Sequence, residues 1–291
     1  MPAIPVQLPD GTALPRIGLG TWRLGEAGAH RKGEIAAVRT AIELGYRLID
    51  TAEMYGEGGA EEVVGAAVAE ALRAGSVRRE ELLIVSKVYP HNASRRGTVA
   101  ACERSLARLG LDRIDLYLLH WRGQHPLRET VAAMHALVAA GQIGHWGVSN
   151  FDTDDMMELS DVVSAAGPAA PPCATDQVYY SLSERGPEFS LLPWLRERAM
   201  PLMAYSPIDQ GAIASDRTLA AIGAPRGLTA AQVALAWMVS QPGVLPIPKA
   251  SQAQHLRDNL AAVDVVLSAA ECAQIEASFP PPSGATPLAM V

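Results

Sequence analysis

Four side chains far apart in the chain, Asp50, Tyr55, Lys87 and His120, are of the types that together can move a proton. A tyrosine hydroxyl ordinarily titrates near pH ~10, so alone it is a poor proton donor or acceptor at neutrality. A neighbouring ammonium favours the phenolate and lowers that value. Lys87 can supply the charge, and Asp50 can hold Lys87 and keep it protonated. His120 would add a directional hydrogen bond to the oxygen of a bound carbonyl. The four would then act as a general acid that protonates a carbonyl oxygen while a hydride arrives at carbon from an external donor. Taken singly, each has a plainer reading: Asp50 as a cap or turn residue, Lys87 as half of a salt bridge, His120 as a structural histidine. Their occurrence at successive strand ends favours the joint reading.

Those strand ends come from eight short apolar runs that stop at polar or aromatic residues: 17–21, 46–50, 82–87, 114–120, 143–150, 174–177, 201–205 and 244–249. Helical spacing lies between them; Ile35, Val38 and Ile42 share one face, and Val99, Cys102, Leu106 and Leu109 another. Parallel strands need crossover helices and are apolar on both faces, so this alternation predicts an α/β fold, a closed (β/α)8 TIM barrel with its chemistry where the strands end. A doubly wound open sheet should carry a Gly-rich phosphate turn after its first strand. The run Gly18-Leu19-Gly20-Thr21-Trp22-Arg23 lacks that spacing. Capping boxes are predicted at Thr229 with Gln232, Ser251 with Gln254 and Ser268 with Glu271. Asp10-Gly11 between two short apolar stretches predicts an N-terminal β-hairpin, expected to close the barrel floor.

No linker interrupts the alternation before Pro280-Pro281-Pro282-Ser283-Gly284, so residues 1–291 read as one domain with a C-terminal loop over 280–291. A net charge of -7 without a basic stripe argues against nucleic acid, and the apolar runs are too short to cross a bilayer. Met1-Pro2-Ala3-Ile4-Pro5 lacks the charged and apolar regions of a leader. Three scattered cysteines, Cys102, Cys173 and Cys272, make neither a disulfide framework nor a metal knuckle, so no metal is expected and a reducing cytoplasm fits. His91, His125 and His145 have no evident partner. Trp22, Tyr89 and Trp121 follow strand ends and would line a substrate pocket together with Tyr55 and His120.

Seven segments, in order along nearly the whole chain, resemble the aldo-keto reductase family: 18–22 (GLGTW), 45–56 (GYRLIDTAEMYG), 85–87 (VSK), 115–121 (DLYLLHW), 147–151 (GVSNF), 204–207 (AYSP) and 247–249 (IPK). The resemblance implies a (β/α)8 reductase of small aldehydes, ketoaldehydes or ketones. It implies NADPH as hydride donor, Tyr55 as proton donor, Lys87 and Asp50 as its tuning pair, and His120 orienting substrate. The cofactor residues it implies begin with Gly20, Thr21, Trp22 and Asp50. Ser149, Asn150 and Gln177 would hold the nicotinamide carboxamide, and Tyr205 would stack on its ring. Ser206, Pro207, Ile208 and Gly211 would run along the pyrophosphate. Lys249, Ala250, Ser251 and His255 would lie at the 2′-phosphate, with Asp258 and Asn259 at the adenine. Many members carry arginine where this chain has His255, so NADH is expected to be tolerated. A monomer is the family default.

Two other functions compete. A Schiff-base aldolase would need Lys87 neutral and nucleophilic, whereas Asp50 favours the ammonium. A noncatalytic NADP(H) sensor would keep the fold and lose the chemistry.

Overall fold

Apolar side chains pointing to both sides of a strand must be covered on both faces, and all eight runs are covered in that way. The structure, a computed structural model, describes residues 6–291. Met1 to Pro5, where a leader would begin, lie outside the described residues. The hairpin comes first: β1 (Val6–Gln7) pairs antiparallel with β2 (Ala13–Leu14), Val6 opposite Leu14. Eight parallel strands follow: β3 (Leu19–Gly20), β4 (Leu48–Asp50), β5 (Leu83–Val88), β6 (Ile114–Leu119), β7 (Ile143–Ser149), β8 (Asp176–Tyr179), β9 (Leu202–Tyr205) and β10 (Val244–Pro246). Each pairs with the next. Gly18 N donates to Pro246 O at 3.0 Å and Gly20 N to Pro248 O at 3.1 Å, and Gly20 bridges Lys249, which joins the first of these strands to the last. The chain thus forms the expected (β/α)8 barrel.

The outer layer consists of α1 (Arg31–Leu44), α2 (Gly59–Arg73), α3 (Arg95–Leu109), α4 (Leu127–Ala139), α5 (Thr153–Ala165), α6 (Leu191–Glu197), α7 (Arg217–Gly223), α8 (Ala230–Ser240), α9 (Ala253–Ala261) and α10 (Ala269–Ser278). The expected stripes face the sheet: Val38, Ile42, Cys102, Leu106 and Leu109 are buried, while Ile35 and Val99 pack at the edge. Capping boxes form at Thr229 and Ser268 as expected. The one expected at Ser251 does not form. Closing the barrel keeps the chain extended through Lys249, so α9 starts only at Ala253 and Gln252 occupies its N-cap without a side-chain bond. Gln254 bonds forward to Asp258 Oδ1 at 2.8 Å.

The core divides in two. One part lies between sheet and helices; the other fills the barrel, where Leu48, Val85, Leu116, Leu118, Met203 and Leu245 meet Val6, Leu8 and Leu14 of the hairpin. The hairpin therefore plugs the floor, and each such side chain contributes roughly 1.5–3 kcal/mol by leaving water. His145, at the start of β7, has a partner after all: its Nε2 lies 2.8 Å from Asp10 Oδ2 at the hairpin tip. His125 Nε2 likewise meets His91 O at 3.2 Å. Among the described residues no single helix is long and apolar enough to cross a membrane. Cys102 and Cys173 are buried, and burial pushes both thiols up to about 12.

Two loops at the upper rim touch backbone to backbone. A Cβ on Gly25 would fall 2.1 Å from the carbonyl carbon of Gly59, and Gly25 also has φ +74°. No other residue fits there without moving the segment that carries Tyr55. Gly25→Ala is expected to lose at least ~2 kcal/mol of stability in urea unfolding. A loss under ~0.5 kcal/mol would show that the two loops are not locked together.

Candidate active site

Strand register decides which side chains meet at the rim. Asp50 lies opposite Gly20 on one side and Val85 on the other, Ser149 opposite Gln177, and Tyr179 opposite Tyr205. At the centre is Lys87, fully buried. Its Nζ donates to Asp50 Oδ2 at 2.7 Å, to Thr51 O at 3.0 Å and to Tyr55 Oη at 3.2 Å. Gln177 Nε2 donates to Asp50 Oδ1 at 2.8 Å, so both carboxylate oxygens are occupied. A desolvated ion pair is stable only when its remaining lone pairs and protons are also satisfied, as they are here. His120 completes the group, its ring centroid 5.6 Å from that of Tyr55 at 74°.

Burial raises the Tyr55 hydroxyl above its ordinary value; the Lys87 charge pulls it down and Asp50 pushes it up. The expected lowering by Lys87 is thus outweighed by desolvation, and the phenol keeps its proton at neutral pH. Burial alone would depress Lys87, but Asp50 and Tyr55 lift it above the ordinary range, so it is an ammonium. Such a lysine, with no exposed surface, is a poor Schiff-base nucleophile. Burial, reinforced by the charge of Lys87, holds His120 well below its usual range, and its ring is neutral. Its Nδ1 is buried without a partner among the described residues. The geometry can deliver one proton from Tyr55 and leave the resulting phenolate beside a fixed positive charge.

Tyr55 and His120 line a cavity of about 810 Å³. Its wall includes Gly20, Thr21, Trp22, Asp50, Trp121, Ser149, Asn150, Gln177, Tyr205, Ser206, Pro207, Ile208, Gly211, Lys249, His255, Asp258 and Asn259, all named from the sequence. Ser149 Oγ donates to Gln177 O at 2.7 Å, Asn150 Nδ2 to His120 O at 3.1 Å, and Tyr205 Oη to Asn150 Oδ1 at 2.8 Å. An aromatic face, a cluster of amides and the cation Lys249 therefore share one cavity. That donor set fits a long ligand with a flat polar ring and a distal anion.

Three expected members stand off the wall. Tyr89 lies behind it, stacked edge-on against Trp121 with centroids 5.6 Å apart. Its backbone N donates to Glu53 Oε1 at 2.7 Å, and Asn92 Nδ2 donates to the same oxygen at 2.9 Å. Glu53, buried and missed in the sequence, thereby fixes that loop. Ala250 and Ser251 are carried past the cavity by the barrel closure that delays α9. Sequence reading also missed Arg23, Met54, Gln210, Thr229, Gln254 and the tail residues Met290 and Val291. Arg23 and Met54 flank Trp22 and Tyr55 and were open to the same strand-end logic. The tail offered no periodicity to place it.

A family model described as "Aldo/keto reductase family" matches residues 16–279. Methylglyoxal reductase YeaE of Escherichia coli (strain K12) is 46% identical over 291 residues, with 98% of each chain covered. Glyoxal reductase of Bacillus subtilis (strain 168) is 34% identical, covering 94% of this chain and 91% of its own. An aldo-keto reductase from Klebsiella pneumoniae, crystallised in complex with NADPH, superposes with a TM-score of 0.91 at 46% identity, each chain covered in full (100%).

The charges around Tyr55 give a direct test. In an NMR titration with ring-labelled tyrosine, the signal lost in Tyr55→Phe should titrate only above pH ~10. It should move higher still in Lys87→Met, since the ammonium that favours the phenolate is gone. Titration below that range in the native chain would contradict the burial argument.

Proposed function

The chain belongs to the aldo/keto reductase family, and from that premise we propose that it reduces small aldehydes, ketoaldehydes and ketones with NADPH, short α-dicarbonyls foremost. One observation carries the reading: a protonated Tyr55, 3.2 Å from the ammonium of the buried Lys87–Asp50 pair, lines the same cavity as Lys249. The named activities of the methylglyoxal and glyoxal reductases support the substrate class. The NADPH in the Klebsiella pneumoniae structure supports the cofactor.

When bound, the nicotinamide supplies the hydride. The residues supply the rest. As negative charge develops on the carbonyl oxygen, Tyr55 gives it a proton, and Lys87 stabilises the phenolate left behind. Asp50 keeps Lys87 charged and Gln177 keeps Asp50 in place. Neutral His120 orients the carbonyl. Trp22, Trp121 and Met54 form the apolar wall beside it. Ser149, Asn150 and Gln177 hold the carboxamide, the face of Tyr205 seats the ring, and Ser206, Pro207, Ile208 and Gly211 follow the pyrophosphate. Lys249 and His255 take the 2′-phosphate, with Asp258 and Asn259 at the adenine. NADH is tolerated, because His255 lacks the fork of an arginine and exposed Arg257, the nearest one on α9, does not reach the cavity wall. With this reading go a cytoplasmic location, as the scattered cysteines led us to expect, a single catalytic domain, as the uninterrupted alternation did, and a monomer, the family default.

Tyr55→Phe should lower methylglyoxal turnover at least ~10²-fold while NADPH affinity is kept. Turnover by the native chain also separates the enzyme from a cofactor sensor. Native kcat/KM should stay level from pH ~6 to ~9, since His120 is already neutral there and Tyr55 still protonated, and should fall as pH rises through the raised Tyr55 value. Near-native turnover by the phenylalanine variant would sink the assignment.

The phosphate end is tested separately. Lys249→Ala should erase most of the preference for NADPH over NADH, since a charge-assisted hydrogen bond is worth roughly 1.5–3 kcal/mol, about ten- to a hundred-fold in affinity. His255→Arg should tighten NADPH selectively. Equal effects of His255→Arg on both cofactors would remove position 255 from the 2′-phosphate.

A further inference from the structure

The segment that follows Tyr205 is the most strained stretch on the cavity rim. Ser206, Asp209 and Gln210 take φ of +48°, +48° and +54°, and Gly211 takes +97°. Three side-chain-bearing residues in the left-handed region within five positions persist only if neighbouring contacts hold them. Ser206, Ile208, Gln210 and Gly211 border the cavity, but Asp209 does not. Its carboxylate faces Tyr179: Tyr179 Oη donates to Asp209 Oδ1 at 2.9 Å, while Oδ2 is buried without a partner among the described residues. The carboxylate thus makes one side-chain hydrogen bond, and it is to Tyr179.

Tyr179 passes that restraint on. It is the register partner of Tyr205 on the neighbouring strand, and the two rings stack with centroids 5.8 Å apart at 15°. Tyr205 is tied on its other side to Asn150 by the 2.8 Å bond from its hydroxyl. Asp209, Tyr179, Tyr205 and Asn150 therefore form one continuous column, which meets the cavity at Tyr205 and Asn150. Burial and the Asp209 carboxylate push the Tyr179 hydroxyl up to about 12, so it remains a donor throughout the neutral range.

We propose that Asp209 is a positioning residue for the cofactor. Through its bond to Tyr179 it fixes the angle of Tyr205 and holds the strained segment 206–211 along the cavity. This inference rests on the reading of Tyr205 as the seat of the nicotinamide ring. The column makes two elements move together: if the Asp209–Tyr179 bond opens, the strained segment is released and the backing of Tyr205 loosens in the same event.

The test is NADPH binding followed by fluorescence, with steady-state kinetics on methylglyoxal, for Tyr179→Phe, Asp209→Ala, Asp209→Gly, Asp209→Asn and the Tyr179→Phe/Asp209→Ala double variant. Tyr179→Phe keeps the stack and loses only the hydroxyl. Both it and Asp209→Ala should weaken NADPH binding about tenfold, as expected for one charge-assisted hydrogen bond, with the loss falling on Kd and KM for NADPH more than on kcat. Asp209→Gly relieves the backbone yet lacks the acceptor, so it should weaken binding as Asp209→Ala does. Asparagine accepts a hydrogen bond and tolerates the left-handed region, so Asp209→Asn should recover most of the affinity. The double variant should be no weaker than either single, because both remove the same bond. Single variants that bind NADPH within twofold of the native chain, or a double variant whose loss is the sum of the two, would overturn the proposal. Failure of the native chain itself to bind NADPH would overturn the functional reading instead.

Discussion

An ammonium and a carboxylate placed out of contact with water, Lys87 against Asp50, constrain everything around them. Such a pair loses several kcal/mol of hydration per ion and recovers it only in fixed geometry with every remaining site filled. Thr51 O and Tyr55 Oη fill the ammonium's sites and Gln177 fills the carboxylate's. These groups come from β4, the turn after it, β5 and β8, which are not all neighbours in the sheet. Only a closed ring of strands brings them to one point without mobile parts. The barrel is therefore the means by which a charge pair can exist in a place where it alters the proton affinity of a phenol.

The two ends of the ring divide the work. Below, the hairpin residues Val6, Leu8 and Leu14 seal the interior with hydrocarbon, and Asp10 reaches His145 across the rim. Above, the strands end in polar residues and the loops hold one another by close backbone contact and buried carboxylates: Gly25 on Gly59, Glu53 on Tyr89 and Asn92. Stability gathered at the floor and in the outer layer permits strained, partly desolvated groups at the mouth.

Much of this was legible in the sequence because parallel strands leave a plain signature. A run buried on both faces is apolar throughout, so the residue where it stops being apolar marks the strand end; Asp50, Lys87, His120 and Ser149 were found in that way. The hairpin was legible from Asp10-Gly11, although the loop that forms is Pro9-Asp10-Gly11, closed by Leu8 N donating to Thr12 O, with Gly11 at φ +87°. What escaped depends on distances the chain does not write down. Ser251 carried the right spacing for a cap, yet barrel closure at Lys249 kept the chain extended beyond it. Tyr89 follows a strand end like its fellows, but buried Glu53, whose carboxylate accepts from the Tyr89 backbone, fixes its loop off the wall, and the sequence does not show that contact. The charge state of Tyr55 could be read in its parts and not in its sum, because burial, which decides the sign, belongs to the packed molecule. The column from Asp209 to Asn150 is a product of register between β8 and β9, which periodicity alone leaves open.

The cysteines have a bearing on endurance. Short dicarbonyls are electrophiles, and they are captured by thiolates far faster than by thiols. Cys102 and Cys173 are buried, with thiols pushed up to about 12, so at neutral pH both are protonated. Cys272, only partly covered, is also shifted upward by burial and by Glu276 and Glu271. Were short dicarbonyls the substrate, as proposed above, each thiol would meet them chiefly in its protonated, slow-reacting form.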